Sequence, residues 1–200
     1  MQLIERIHEA QRRWNVLTHP FYERWDAGAL TAGELRVYAG QYRHAVAAVA
    51  SAACTGGALD DGGHAAEEAA HVKLWDAWAQ SLGAAPAEPA PEAEACAEAW
   101  APPDALAATA VLYAVESAQP AIAETKLRGL VSHYGFDEAS PALEYFRLHA
   151  ERDHEHARRA EDVLARETRP EDADRLAAAA EAALRANWLL LDGVERLNGR

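Results

Sequence analysis

Two hundred residues, half of them apolar, suffice for one sizeable core, and a single domain spanning 1–200 is expected. A formal charge of −13, a pI near 5.1 and the lack of a Lys/Arg stripe argue against nucleic acid and anionic membranes, which need the opposite sign. Cys54 and Cys96 stand in no metal or redox spacing, the N-terminal MQLIERIHEAQRRW lacks a signal-peptide apolar stretch, and no apolar run reaches spanning length, so a cytoplasmic location is expected.

Ala, Leu, Glu and Arg dominate, β-branched residues are few, and helical spacing recurs from end to end. A first helix is expected through about Thr18, ahead of a turn at His19-Pro20-Phe21. Thr31 with Glu34 reads as a capping box opening a second helix to about Cys54. A third starts after Gly62-Gly63 and ends at Leu82-Gly83, where glycine suits the C-cap. Residues 84–103, AAPAEPAPEAEACAEAWAPP, hold five prolines and read as a surface connection with a short helix inside it. Asp104 caps a fourth helix that reaches His133-Tyr134-Gly135 with a kink at Pro120. Ser140-Pro141, an N-cap followed by Pro at the first helical position, opens a fifth helix to about Arg166. Thr168 with Glu171 reads as another capping box, starting a sixth that runs almost to the C-terminus. Neither repeats nor strand alternation are present, so the fold class is all-α, a bundle of six or seven helices.

Ionisable groups interrupt the apolar faces of three of these helices. Successive helical residues advance by about 100°, which places each on its helix's circumference. In the fifth helix Phe146, Ala150, Ala157, Ala160 and Leu164 define an apolar arc; His149, Asp153 and His156 fall inside or beside it, and Glu151 lies almost opposite. In the third helix the arc is Leu74, Trp75, Trp78 and Leu82, with His71 at its centre, Glu67 close by, and Glu68 and His64 nearer the edges. The fourth helix, LAATAVLYAV, is apolar all round, and Glu116 is its one carboxylate between Asp104 and Glu124. An isolated buried carboxylate costs several kcal/mol or takes up a proton, so something must compensate it. Taken singly, a core His is usually just hydrogen-bonded, and an Arg would compensate Glu116 as well as a metal. Their convergence points to divalent metals, which need neutral imidazoles and bridging carboxylates projecting inward from facing helices. Six such ligands suit two metals with open positions for oxygen. A ferritin-like alternative, using Glu68-x-x-His71 and Glu151-x-x-His154, requires Glu151 to face the core, against the register. His44 and His154 read as solvated or structural.

The segments HPFYERWDAGALTAGELRVYAGQY, EEAAHVKLW, LYAVESAQPAIAETKLRGLVSHYG and YFRLHAERDHEHAR carry a resemblance over nearly the whole chain. It resembles the heme-oxygenase-like di-iron oxidases of TenA/PqqC-like fold, and within them the 4-aminobenzoate-forming branch. The resemblance implies an all-α bundle of six to seven helices binding two iron ions (or Fe/Mn), with O2 as co-substrate. Its ligand set carries over to Glu67, His71, Glu116, His149, Asp153 and His156. The spacing between the Glu-Glu pair and its His is shorter than the family's, leaving Glu67 or Glu68 open; the arc favours Glu67. The aminobenzoate-forming members sacrifice their own chain, which implies Tyr22 as the source of the ring and Lys126 as amine donor. Tyr38 and Tyr145 would relay radicals or line the site. The partners implied are a small-molecule substrate or the chain's own Tyr and Lys, an external reductant and a second copy in a homodimer.

Three other readings stand beside this one. In the first, the same centre oxidises a free amino acid or fatty acid. A metal-free thiaminase-type hydrolase would need a nucleophilic Cys with a base, and neither Cys54 near a helix end nor Cys96 in the Pro-rich connection has one. A non-enzymatic partner-binding protein would leave the buried ligand-type residues without purpose.

Overall fold

The computed structural model describes residues 3–59 and 63–200. Among them there is no strand. The helices are α1 (Leu3–Arg13), α2 (Pro20–Asp26), α3 (Ala32–Gly56), α4 (Gly63–Ser81), α5 (Pro91–Trp100), α6 (Ala105–Glu116), α7 (Gln119–His133), α8 (Glu144–Glu167) and α9 (Ala173–Leu197). Gly62, expected just ahead of the third helix, lies outside the described residues. No single helix among those described is long and apolar enough to cross a membrane.

The helix count among the described residues exceeds six or seven because α2 begins at an expected turn and the fourth expected helix is divided. The first expected helix ends at Arg13, and Asn15 caps a separate 3-10 turn at Val16–Thr18. His19-Pro20-Phe21, expected as a turn, is the start of α2: the Phe21 N–H donates to His19 Nδ1 at 3.0 Å, and Pro20 takes the first helical position. The expected fourth helix is α6 and α7, bent by 41°. Pro20's role recurs at Pro120, which has no N–H to give the carbonyl of Glu116 four residues back. The helix therefore stops at Glu116, and α7 restarts at Gln119.

Thr31 and Glu34 form the capping box as expected. Thr168 and Glu171 do not: Thr168 ends α8, its Oγ1 is buried without a partner, and a 3-10 turn at Pro170–Asp172 leads into α9.

Two apolar clusters hold the helices together. The smaller joins Ile7 of α1, Ala110 and Ala114 of α6, Ala160 and Leu164 of α8, and Leu176 and Leu184 of α9. The larger gathers Phe21, Tyr22, Trp25, Tyr38, Tyr42, Trp75, Trp78, Tyr145 and Phe146 from α2, α3, α4 and α8. Each such side chain contributes about 1.5–3 kcal/mol on leaving water. Close approach completes the frame. A Cβ at Gly129 of α7 would lie 2.6 Å from the Trp25 ring, so only glycine lets α2 seat against α7. The Trp25 indole N–H then donates to the carbonyl of Lys126 at 3.2 Å.

Candidate metal centre

The faces of α4, α6 and α8 that meet in the bundle carry seven ionisable side chains. On α4 the buried residues are Glu68, His71, Trp75 and Trp78, one helical stripe at spacings of three and four. On α8 the stripe is Tyr145, Phe146, His149, Asp153, His156 and Ala157. Glu116 ends α6, where every residue from Ala107 onward is buried.

Their polar atoms crowd one another without hydrogen-bonding. His64 Nε2 is 2.9 Å from Glu116 Oε1, and His71 Nδ1 is 2.8 Å from Glu68 Oε1, yet none of the four atoms has a hydrogen-bond partner. Nor have Glu116 Oε2, His149 Nε2, Asp153 Oδ1 or His156 Nδ1. Unpaired buried polar atoms cost roughly 1–3 kcal/mol each, so this concentration demands a common partner. The atoms form two groups within which all lie inside 4.8 Å: His64, Glu68, Glu116 and His156, and Glu68, His71 and His149. Glu68 belongs to both. Such a set fits two neighbouring cations with one carboxylate between them.

Outer contacts fix which nitrogen each imidazole turns inward. His149 Nδ1 donates to Asp153 Oδ2 at 2.8 Å, leaving Nε2 to the cage. His156 Nε2 donates to Glu67 Oε2 at 3.0 Å, leaving Nδ1. A metal-bound histidine uses its second ring nitrogen in this way.

Glu67 is thus a correction to the reading that placed it inside. Its side chain is 43% exposed, against 3% for Glu68. Leu74 and Leu82 are only half-buried, and counting them as core rotated the expected arc toward Glu67 by one residue. His64, read near the edge of the arc and left out of the ligand set, stands four residues before Glu68 and seven before His71 on the same helix. His71, Glu116, His149, Asp153 and His156 all come together here. Glu151 and His154 face out, which removes the ferritin-like pairing.

Burial is the largest single influence on both Glu116 and Glu68. It pushes Glu116 up to about 7, against the pull of His64 and with help from the Glu68 and Asp153 charges. At Glu68 burial pushes the same way but loses to His64 and His71, which hold the group well below the usual carboxylate range. His64 rises to about 10: burial opposes its charge, and Glu116 and Glu68 outweigh burial.

Beside the cage lies a box of aromatic rings. Tyr22 and Tyr38 join hydroxyl to hydroxyl at 2.8 Å. Lys126, 1% exposed, lays its ammonium 4.6 Å from the centre of the Tyr42 ring and 5.5 Å and 5.6 Å from those of Tyr22 and Tyr38. Burial lowers its pKa to about 7 and raises those of the Tyr22, Tyr38 and Tyr145 phenols. Trp75 connects box to cage: its ring is 5.9 Å from Tyr38 and 5.0 Å from Tyr145, which is 4.2 Å from the His149 ring. Tyr22, Tyr38 and Lys126 are thus gathered in one box, and Trp75 and Tyr145 link that box to His149. Cys96 is buried with its thiol pushed up by desolvation, the wrong direction for a nucleophile, and Cys54 is exposed.

A family model described as "Iron-containing redox enzyme" matches residues 37–188. The chain is 30% identical to a 4-aminobenzoate synthase of Chlamydia trachomatis serovar D, covering 96% of this chain and 91% of that protein. It is 29% identical to the 4-aminobenzoate synthases of Chlamydia muridarum, over 96% of this chain and 89% of that one, and of Nitrosomonas europaea, over 90% and 85%. Among solved structures, a domain from Shewanella denitrificans with a heme oxygenase-like fold superposes with a TM-score of 0.82 at 18% identity, covering 100% of this chain and 94% of that one. A TenA homolog from Pseudomonas syringae pv. tomato gives 0.78 at 17% identity, covering 97% and 91%. The fold is the heme-oxygenase-like, TenA-like bundle.

Proposed function

The chain belongs to the iron-containing redox enzymes and is an oxidoreductase, and from that premise we propose that it is a dinuclear iron oxidase that forms 4-aminobenzoate from its own Tyr22, with Lys126 supplying the nitrogen. The observation that carries the proposal is the cage of unpartnered donor atoms standing against a sealed box that holds a phenol pair and a lysine. Glu68, His71, Glu116, His149, Asp153 and His156 would hold the metals. When bound, reduced iron supplies the activation of O2, with electrons from an external reductant.

The chain's own residues arrange the rest. Tyr145 packs on His149, Trp75 on Tyr145, and Tyr38 on Trp75, so oxidising equivalents have a path of ring contacts from the cage to Tyr22. The hydroxyl of Tyr38 stands 2.8 Å from that of Tyr22, placed to hold the Tyr22 phenol in position by a hydrogen bond. Lys126 has a pKa near 7 and so holds a large share of free amine at neutral pH, the form able to give up nitrogen. The full burial of Tyr22, Tyr38 and Lys126 excludes water from reactive species.

A free substrate suits the site less well. The cavity lined by His64, His156, Thr109 and Leu112 measures about 30 Å³, which admits a diatomic or a water but no fatty acid. The proposal is tested with protein carrying ring-labelled tyrosine, loaded with iron, reduced and exposed to O2. Labelled 4-aminobenzoate is expected at no more than one equivalent per chain, with the residue 22 peptide altered in mass and no product from Tyr22→Phe. Product from Tyr22→Phe at the wild-type level would defeat self-sacrifice.

A further inference from the structure

We infer that His64 is itself a metal ligand, the fourth imidazole of the centre, and that it makes the donor set choose iron over manganese at both positions. The inference rests on the dinuclear reading above and adds a residue and a metal preference to it.

His64 stands in the first turn of α4, and with Glu68 and His71 it forms a stripe at spacings of four and three. Its Nε2 lies 2.9 Å from Glu116 Oε1 and 3.7 Å from Glu68 Oε1, and its ring stacks on His156 at 4.1 Å between centroids. That Nε2 is buried and has no hydrogen bond. A histidine serving packing would have its buried nitrogen hydrogen-bonded, and a solvated one would show it to water. His64 does neither. It lies within 4.8 Å of donor atoms from Glu68, Glu116 and His156.

Counting His64, the imidazoles divide evenly. One group holds His64, His156 and Glu116, the other His71 and His149, with Glu68 shared between them. Asp153, hydrogen-bonded to His149 and 3.7 Å from His156, stands between the two. Each position then has two imidazoles. Imidazole favours iron, whereas oxygen-rich sets suit manganese, and iron stands above manganese in general affinity. Without His64 the first position would offer one imidazole among carboxylates and lose that bias.

The experiment is anaerobic equilibrium dialysis of the full chain against equimolar Fe(II) and Mn(II), counting each metal per chain. Wild type should hold two equivalents, nearly all iron. His64→Gln should fall to about one, since even outer partners of a metal cost roughly tenfold to a hundredfold in affinity and a ligand costs more. His64→Glu, which restores a donor with oxygen in place of nitrogen, should regain two equivalents with the manganese share raised at least about twofold. His154→Gln, altered on the exposed face of α8, should match wild type. Two equivalents with wild-type iron share in His64→Gln would overturn the inference and leave the dinuclear reading standing. A wild type holding one manganese per chain would overturn the metal preference. A wild type holding no metal would overturn the dinuclear reading as well. Should His64→Gln fail to fold, His64→Glu decides through its metal ratio.

Discussion

Glu67 and Glu68 differ by 100° around α4, and that rotation separates two duties. Glu68 has its carboxylate in both donor groups, while Glu67 holds the outer nitrogen of His156 and meets Arg152 at the rim. Glu68→Ala should therefore lose both metals. Glu67→Ala should keep two equivalents but bind them about 10- to 100-fold more weakly, as outer partners do; metal titration of the two variants side by side checks this, and equal losses would refute it. Lys126 makes a different kind of prediction. Its folded pKa of about 7 lies below the 10.5 of an ordinary lysine, so the unfolded chain holds more protons between those values. Stability then rises with pH through that window, and the full penalty of burying the ammonium applies below about 7. Lys126→Met should stabilise the fold by about 1–3 kcal/mol at pH 7 and by less at pH 10. Thermal melts at the two pH values read this directly, and destabilisation at pH 7 would contradict it.

At the scale of elements, the position of each functional group follows from where helices stop and how closely they approach. Pro120 ends α6 at Glu116, which sets that carboxylate at a helix terminus facing α4 and α8. Gly129 lets Trp25 lie on α7, bringing Tyr22 of α2 over Lys126. Gly129→Ala should cost about 1–3 kcal/mol through overpacking, measured by chemical denaturation, and should loosen the box before the cage, leaving metal content unchanged. A variant of wild-type stability would show that α2 can shift without cost. These elements were unequally legible in the sequence. Thr31 with Glu34 is a local exchange of hydrogen bonds and forms wherever the helix begins, so its pattern suffices. Thr168 with Glu171 has the same pattern, but α8 runs on to Glu167 and Pro170 opens a 3-10 turn, so neighbours override it. The stripe on α8 was readable because charged residues cover its opposite face. The stripe on α4 was blurred because Leu74 and Leu82 are apolar yet half-buried, and no single-helix count distinguishes such residues from core. The depth of Lys126 was not readable at all, since it depends on α2, α3 and α4 closing over α7.

For the whole molecule, the two clusters divide the labour of the fold. The alanine- and leucine-rich cluster of α1, α6, α8 and α9 supplies a rigid wall behind Glu116 and His156, and the aromatic cluster surrounds the lysine and tyrosines. The chain is a scaffold that brings a cage of donor atoms and a buried phenol pair within a few ring contacts of each other. The cavity of about 30 Å³ beside the donors suits the proposed self-sacrifice, which needs no wide entrance. The central claim is that the unpartnered atoms of α4, α6 and α8 surround two metal ions with Glu68 between them. Anomalous scattering at the iron edge, from crystals grown anaerobically with Fe(II), tests it most directly. Two peaks are predicted, both within bonding distance of Glu68, one beside Glu116 and His156 and the other beside His71 and His149. No peak there, or iron bound only at the surface, would contradict the account.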